Sequence, residues 1–260
     1  MIRKYIRTWW RDSVEATGEV ALLLWDLVRS IFRDRFDVNL FMAQAARIGV
    51  DSLPVVSVTS LFVGMVLALQ TGYSFKNVFN EPLFVGTVVG FSILKELGPV
   101  LTAIVVSGRI GASIAAELGT MKVTEQIDAL YTLGTNPIRY LGVPRFLAAF
   151  LMLPVLTIYA DCIGIMGGYL ISITKLGIPS TVYWDDILNN IQTDVMIHGL
   201  LKTFAFAAIV ATTACYMGFT TQGGAEGVGR ATTRAVVVSM VLILISDYFV
   251  SALLVAFGIG

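Results

Sequence analysis

The sequence predicts an all-α integral membrane protein, with an N-terminal amphipathic helix on the membrane surface and about five transmembrane helices. Hydrophobic residues make up 56% of the 260 residues, charged residues make up only 14%, and the mean hydropathy is +0.79. Soluble domains carry about 25% charged residues. Several apolar runs approach the ~20 residues that a helix needs to cross the hydrocarbon core of a bilayer. Together these features argue against a soluble fold.

The first element is an amphipathic helix that precedes the transmembrane runs. Between residues 14 and 36, apolar side chains recur at helical spacing, and charged residues interrupt any continuous apolar face. Nearby tryptophans favour the headgroup level of a membrane. We therefore predict a membrane-surface segment over residues 1–45, followed by a transmembrane domain over residues 46–260. The apolar residues are Val20, Leu24, Leu27, Val28 and Ile31, and the tryptophans are Trp9, Trp10 and Trp25.

Five apolar runs follow and predict the transmembrane helices, over residues 52–73, 83–116, 146–173, 196–219 and 235–257. The second run is too long for one straight crossing, because about 34 residues at 1.5 Å each would extend ~50 Å. Pro99 lacks a backbone donor and disfavours helical geometry at Gly98, so we expect a kink or a break beside Lys95 and Glu96. One kinked span and two half-helices both remain open.

Basic residues are distributed unevenly between the two predicted sides. With one kinked second span, thirteen of the 18 Lys and Arg residues fall in the N-terminal region and in the segments after spans two and four. Only Lys76 and Lys175 fall on the opposite side. Cytoplasmic segments carry such an excess of positive charge, so we predict a cytoplasmic N-terminus and a C-terminus on the other side. The 18 basic and 18 acidic residues balance, which gives no reason to expect a nucleic-acid partner.

Lys95 and Glu96 are ionisable residues inside an apolar run. Such side chains are costly at bilayer depth unless they are paired or face a cavity. Adjacent residues on a helix point in different directions, so we expect the two to have different partners. The pair either fixes helix packing or lies beside a transport path, and both interpretations stay open. For the other charges in or near the spans we expect structural pairing, with Lys202 bound to Asp161 or Asp247; these charges are Arg109, Asp161, Lys202 and Asp247.

Few other residues carry recognisable chemistry. Cys162 and Cys215 lie in apolar runs without Cys or His at metal-ligand spacing, so we expect two small core residues and neither a disulfide nor a metal site. His198 is expected at the membrane interface, near the outer end of span four. Small residues recur four apart and predict close helix approach in a bundle or dimer. They are Gly86 and Gly90, Gly164 and Gly168, and Ser107, Gly111 and Ala115.

Two segments on the predicted cytoplasmic side are informative. Residues 124–130, with Ile127, Leu130 and Leu133, suit a short amphipathic helix that either docks a soluble partner or merely connects two spans. The glycine-rich residues 223–229 lack the lysine of a phosphate-binding loop and predict a flexible turn. The sequence carries no nucleotide-binding signature, so ATP-driven transport would need a motor on another polypeptide.

Four segments resemble the MlaE/YrbE permease family. They are LFVGMVLALQTGY at residues 61–73, LKELGPVLTAIVVSGRIGASIAAELGTMKVTEQIDAL at 94–130, NPIRYLGVPR at 136–145 and EGVGRATTRAV at 226–236. The similarity covers roughly residues 45–258, and the ordered pattern ELGP…GR.G…AE.G.M..TEQ makes it specific. The first 40 residues share only the general character of the family's N-terminal region and none of its motifs.

The resemblance implies a permease subunit of a bacterial ABC system that moves phospholipids between the inner membrane and periplasmic carriers, in support of outer-membrane lipid asymmetry or supply. It implies a homodimer in the inner (cytoplasmic) membrane, with the C-terminus periplasmic. Cytoplasmic ATPase subunits would bind the ATP, and MCE-domain proteins would be the periplasmic partners. A lipid cavity would open at the dimer interface, and the helix after span two would couple to the ATPase. The chain itself would carry no cofactor, metal or catalytic residue.

Carried over by position, the resemblance assigns two groups of residues. The lipid cavity would be lined by Gln70, Tyr73, Lys95 and Glu96. The ATPase-coupling segment would contain Glu117, Thr124, Glu125 and Asp128. This chain departs from the family at Lys95, where relatives carry arginine. Lysine keeps the charge but loses the planar fork with which arginine binds a carboxylate.

Two other function classes are alternatives to a permease subunit. Midplane charges and broken helices also occur in secondary transporters and channels, which work without an ATPase. An intramembrane hydrolase using Ser107 or His198 is disfavoured, because these residues are predicted near opposite ends of their spans and could hardly meet. Co-purification of an ATPase together with phospholipid would separate the permease from both alternatives.

Overall fold

The protein is a bundle of long helices. A computed structural model describes residues 2–33, 37–79 and 84–259, and these residues form helices joined by short turns, with no strand among them. The α-helices are α1 (Ile2–Arg33), α2 (Val38–Gly49), α3 (Leu53–Phe79), α4 (Val85–Ser92), α5 (Gly98–Val106), α6 (Ala112–Val123), α7 (Gln126–Thr132), α8 (Val143–Thr174), α9 (Ser180–Asn190), α10 (Thr193–Phe219) and α11 (Gly224–Ala256).

Five continuous helical segments in the described part of the chain are long and apolar enough to cross a membrane, which confirms the predicted fold class. They cover Val38–Lys76, Val85–Val123, Ile138–Thr174, Thr193–Phe219 and Gly224–Ala256, and we call them spans one to five. Each is longer than the apolar run that predicts it, because helical hydrogen bonding continues into the more polar residues at the ends. The predicted start of span two, residue 83, lies outside the described residues.

Span two is one continuous helix, not two half-helices. Two π-helical turns, Ile93–Leu97 and Ser107–Gly111, join α4, α5 and α6. The backbone N–H of Gly98 bonds to the carbonyl of Ile93, five residues earlier, and Pro99 follows in the first turn of α5. A proline is tolerated in a first turn, where its missing donor costs little. The wider π turn therefore accommodates Pro99 where the sequence alone predicts a kink or a break.

The N-terminal helix α1 packs its apolar stripe on the bundle. Leu23 and Leu27 are buried in a core shared with α8 and α10. Trp25 is exposed, whereas the side chains of Trp9 and Trp10 lie outside the described part. The amphipathic pattern is thus confirmed, and the place of α1 on a membrane surface stays a prediction. Three partly buried residues of α1 pack against the same core: Leu24, Val28 and Ile31.

Small residues let the backbones of neighbouring spans touch. A side chain on Gly64 of α3 would overlap the carbonyl of Gly164 on α8, and one on Gly167 would overlap the carbonyl of Leu61. The same holds for Gly199 of α10 against the carbonyl of Leu94. Helices in lipid associate through such close packing because apolar association alone gives little driving force there. The predicted close approach is therefore present inside one chain.

A short helix that the sequence analysis did not predict, α9, closes one end of the bundle between spans three and four. Tyr183 of α9 is buried, and its hydroxyl donates to the carbonyl of Ile165 at 3.1 Å. Asp186 accepts from the backbone N–H of Thr87 at 2.9 Å. Burial and the nearby carboxylate of Asp186 raise the pKa of the Tyr183 phenol above its ordinary value. We call this end of the bundle the α9 end.

The opposite end carries the predicted amphipathic helix, α7, and we call it the α7 end. It begins after Glu125, which has a left-handed backbone with φ of 61°. Ile127 is buried and Leu130 partly buried, as predicted, but Leu133 is 78% exposed because α7 ends at Thr132. The glycine-rich residues 223–229 form a turn only at their start, since α11 begins at residue 224 and contains the remaining glycines.

Candidate functional site

Three spans bring one ammonium group and two carboxylates together in the middle of the bundle. The side chain of Lys202 on α10 is fully buried. Its Nζ donates to Glu96 Oε2 at 2.6 Å and lies 3.0 Å from Asp247 Oδ1 on α11. We call these three residues the mid-span cluster. Each lies nine to eleven residues from the α9 end of its span, or ~14–16 Å at 1.5 Å per residue, which is close to the midplane of a ~30 Å hydrocarbon core.

The π turn determines which way the charges of span two point. A π turn inserts one extra residue into the helical register and re-aims the side chains that follow. Glu96 reaches Lys202, whereas the Nζ of Lys95 lies over the ring of Phe91, 5.0 Å from its centroid. The prediction that Lys95 and Glu96 have different partners is confirmed. The predicted contact of Lys202 with Asp247 is also confirmed.

The mid-span cluster is buried at one end and open at the other. The side chain of Lys202 has no exposed surface, that of Asp247 is 23% exposed, and that of Glu96 is 43% exposed. A buried ammonium needs partners, and the two carboxylates supply them. Glu96 retains an exposed face that this chain alone does not cover, so it needs water, a ligand or a second subunit beside it.

An apolar groove of about 340 Å³ runs along α3 next to this segment. Gln70 is a polar residue in its lining, and Leu97, which follows Glu96 in the chain, forms the opposite side. A narrower pocket shares Val63 and Leu97 with the groove and continues toward Gly98. Tyr73 lies three residues beyond Gln70 on α3 and is exposed, but it does not line the groove. The remaining groove residues are Phe62, Val66 and Leu67.

The predicted coupling residues separate into two places at the α7 end. Glu117 lies in α6 and binds two arginines, Arg47 of α2 and Arg145 of α8, the latter at 3.0 Å. Arg145 is buried and also donates to the carbonyl of Leu141 at 2.8 Å. We call Arg47, Glu117 and Arg145 the helix-end cluster. Its geometry ties together spans one, two and three.

The other three coupling residues lie at the surface around the start of α7. The hydroxyl of Thr124 donates to the carbonyl of Thr120 at 2.8 Å, and Asp128 binds Lys122 at 2.8 Å. Glu125 is exposed between them. Their role in coupling stays a prediction. Structural pairing is confirmed for Arg109, which donates to Ser52 at 2.9 Å and lies 3.5 Å from Asp51.

Three sequence predictions need correction. The structural pairing expected of Asp161 is absent among the described residues; its carboxylate is buried against Gly98, and Lys202 pairs with Asp247, the other partner that the sequence allowed. Cys162 is exposed, since it faces away from the core of α8, whereas Cys215 is buried as expected. His198 lies near the α9 end of span four, as expected, but its ring is fully buried instead of facing the membrane interface, because the C-terminal turn folds over it and the carbonyl of Ile259 lies 2.8 Å from its Nδ1.

Sequence reasoning missed the contact of Lys202 with Glu96 and the whole apolar groove. The signal for the first was present, because a lysine inside span four needs a carboxylate and Glu96 is one of few at that depth. The groove gave no signal, since its residues resemble any lipid-facing surface. Within the described residues no group of three or more His, Cys, Asp or Glu side chains is placed to hold a metal ion.

Comparison with known proteins agrees with this architecture. The profile of the family "Permease MlaE" matches residues 41–253. A "Probable ABC transporter permease protein" of Rickettsia typhi is 47% identical over 240 residues, covering 92% of both chains. A protein of Synechocystis with the same designation is 40% identical over 97% of this chain and 94% of its own length.

A third relative carries a more specific name. The "Intermembrane phospholipid transport system permease protein MlaE" of Haemophilus influenzae is 34% identical over 250 residues, covering 96% of this chain and 95% of its own length. The matches cover all five spans, both charge clusters and α7. The chain is therefore a membrane permease subunit and belongs to the MlaE permease family.

Proposed function

We propose that this chain is the permease subunit of an ABC transporter that moves phospholipids between the inner membrane and periplasmic MCE-domain carriers. The observation that carries the proposal is the mid-span cluster with its partly exposed Glu96, together with the apolar groove that the next residue, Leu97, lines. A phospholipid needs both environments, because its chains are apolar and its headgroup is charged. The name of the relative from Haemophilus influenzae supports the same substrate class.

The working unit in this proposal is a homodimer that buries α11. Only 11% of the apolar segment of span five is buried, compared with 56% for span four. Asp247 of the mid-span cluster also lies on α11, so a partner on this face would close a polar cavity around Glu96 and Asp247. Closed two-fold dimers are the commonest symmetric assembly. The groove would then deliver lipid to a cavity shared by two subunits.

Cysteine cross-linking tests the dimer. In a variant with Cys162 and Cys215 replaced by serine, a cysteine at Val241 of α11 should form a disulfide-linked dimer in membranes on oxidation. Val155 of α8 is the matched control, because its side chain is 55% exposed and that of Val241 is 49% exposed. Equal cross-linking at both positions, or none at Val241, would contradict an α11 interface.

The proposed orientation places the N-terminus and α7 in the cytoplasm and α9 in the periplasm. The excess of basic residues at the α7 end motivates it. Single cysteines near Lys76 and Asp185 should react with a membrane-impermeant maleimide added to spheroplasts. Cysteines near Lys122 and Arg230 should react only after the membrane is opened. The reverse pattern would refute this orientation.

Two measurements test the function. The permease should co-purify from native membranes with an ATPase subunit and bound phospholipid, because the designation of the relatives from Rickettsia typhi and Synechocystis as ABC transporter permeases implies a separate motor. In liposomes, the complex should transfer fluorescent phospholipid to or from an MCE-domain carrier only when ATP is hydrolysed. Transfer driven by an ion gradient without an ATPase would favour a secondary transporter or channel instead.

A further inference from the structure

A second pocket, separate from the α3 groove, opens between α8, α9 and α10. It has a volume of about 240 Å³ and shares no lining residue with the groove. Leu94 of span two contributes to its wall, whereas Leu97, one turn further on, faces the groove. Apart from Asp161 and the thiol of Cys162, every lining side chain is apolar. We call this the Asp161 pocket.

Asp161 lacks the partners that a buried carboxylate requires. Only 6% of its surface is exposed, and neither carboxylate oxygen has a hydrogen-bond partner among the residues that the structure describes. Oδ1 packs against Gly98, so Oδ2 is the oxygen left for a partner in the pocket. Lys202 does not serve it, since the ion pairs of that ammonium in the described residues are with Glu96 and Asp247. A carboxylate oxygen only accepts hydrogen bonds, and an unpaired charge at this depth is costly. The missing partner is therefore a donor, and a cationic donor would also compensate the charge.

The mouth of the pocket opens on the outer surface of the bundle near the α9 end. Ile158, Leu188 and Met196 line it, and their side chains are 46%, 75% and 44% exposed. Asp161 is buried in its inner wall. A volume of 240 Å³ is slightly below the ~300–1,000 Å³ of sites that hold a whole small molecule. The pocket therefore suits one end of a larger amphiphile, the rest of which stays in the bilayer.

We propose that the Asp161 pocket binds the headgroup end of a phospholipid that carries a primary ammonium, with an N–H donating to the Asp161 carboxylate. The ammonium supplies both the missing donor and the missing positive charge. A quaternary ammonium supplies the charge but has no N–H, and a glycerol headgroup supplies O–H donors but no positive charge. The inference rests on the proposed phospholipid function and adds a headgroup preference and a lateral binding site.

Photocrosslinking in nanodiscs measures occupancy without depending on transport. The full transporter complex is reconstituted with a trace of phosphatidylethanolamine, phosphatidylcholine or phosphatidylglycerol, each carrying a diazirine at the same position close to the glycerol end of one acyl chain, so that it lies next to the bound headgroup. Crosslinks to the α9 peptide and to the peptide around Cys162 report the pocket. Crosslinks to the lipid-facing surface at Val155 of α8 provide the reference for lipid that merely surrounds the protein.

We expect phosphatidylethanolamine to crosslink the pocket about threefold or more above the other two lipids, since one net hydrogen bond corresponds to a several-fold change in affinity. The reference site should show no headgroup preference. Asp161→Asn keeps the shape but removes the charge, so the ratio should fall to about one. Leu188→Trp, at an exposed position of the mouth, should lower all pocket crosslinks while leaving Asp161 intact.

Equal pocket crosslinking by the three lipids in the wild type would overturn the inference, and so would a preference that survives Asp161→Asn. Crosslinks confined to the reference site would overturn it as well. ATP-driven lipid transfer, measured separately on the same complex, decides the proposed function. ATP-driven transfer together with pocket crosslinking that shows no headgroup preference would reject only the Asp161 pocket. Selective pocket crosslinking without transfer would reject only the transport function.

Discussion

The two charge clusters of this protein combine the same kinds of side chain but differ in what surrounds them. In the helix-end cluster, the buried Arg145 is held by Glu117 and by a backbone carbonyl, and Glu117 has a second partner in Arg47. In the mid-span cluster, the buried Lys202 is held by two carboxylates, and the Glu96 side chain is 43% exposed. Each cluster leaves one charge partly exposed, Arg47 at 45% and Glu96 at 43%, but Arg47 lies at the α7 end of the bundle, whereas Glu96 lies near the middle of its span, next in the chain to the groove residue Leu97.

This difference separates a structural role from a functional one. Arginine presents a planar fork that can bind a carboxylate and a carbonyl at once, which suits a fixed joint between helices. Lysine is a compact charge on a flexible stem, so its carboxylate partners can be exchanged or shared. We therefore expect the helix-end cluster to govern stability and the mid-span cluster to govern transport.

The largest expected effect follows from removing the acid of the helix-end cluster. Glu117→Ala leaves the buried Arg145 without its carboxylate, and breaking a buried pair costs about 3 kcal/mol or more. The melting temperature of the detergent-purified protein should fall by several degrees, measured by size-exclusion chromatography after heating. Glu226→Ala is the control. The Glu226 side chain is 82% exposed, so its ion pair with Arg230 should contribute little to stability. Equal melting of the two variants would contradict the structural role.

The second effect concerns transport through Glu96. Glu96→Gln keeps the size and hydrogen-bonding capacity of the side chain but removes its charge, and charge-assisted hydrogen bonds are worth about 1.5–3 kcal/mol. Phospholipid transfer in liposomes should therefore fall about tenfold or more per assembled, ATPase-active complex. Glu96→Leu should impair transfer similarly. Normal transfer per complex in both variants would leave Glu96 with a packing role only. A lower yield of folded protein, with transfer per complex unchanged, would lead to the same conclusion.

A third, smaller effect is expected at the exposed start of α7. Glu125→Lys combined with Asp128→Lys reverses the sign of this surface, so affinity for the ATPase should fall several-fold while the permease stays folded and dimeric. Because the pairing is electrostatic, the difference from wild type should shrink at high salt. Pull-down of the ATPase at two salt concentrations provides the measurement. Asp185→Lys at the α9 end is the control, and unchanged binding in the double variant would reject docking at α7.

The smallest effect should come from the ion pair between Lys122 and Asp128. Its side chains are 32% and 54% exposed, and exposed pairs contribute about 0–1 kcal/mol. Lys122→Ala should therefore leave the melting temperature nearly unchanged. A drop as large as that of Glu117→Ala would show that burial does not separate stabilising from non-stabilising charges in this protein.

Much of the fold follows from local features of the sequence. Each span contains most or all of a predicted apolar run, because length and hydropathy alone decide whether a segment can cross a bilayer. The helix α7 and the distortion before Pro99 were also predicted, since periodicity and a missing backbone donor are local properties. The helix α9 was not predicted, because the burial of Tyr183 depends on contacts with span three that no local pattern reveals.

The candidate site could be predicted only in part. Lys95 and Glu96 were identified because a charge inside an apolar run is conspicuous. Their partners were not, because Glu96 and Lys202 are 106 residues apart and the π turn decides which side chain points inward. The groove along α3 was missed for a related reason, since its residues are indistinguishable in sequence from those that face lipid.

The sequence by itself thus determined the class of protein, the number of spans and the charged residues that require an explanation. These depend on composition, on segment length and on the cost of placing charge in hydrocarbon, all of which act residue by residue. The tertiary structure alone decided that Lys202 binds Glu96 and Asp247, that Glu117 belongs to a joint between helices, and that Asp161 is left without a partner. These outcomes depend on how each helix rotates about its axis, which close packing between distant segments of the chain determines.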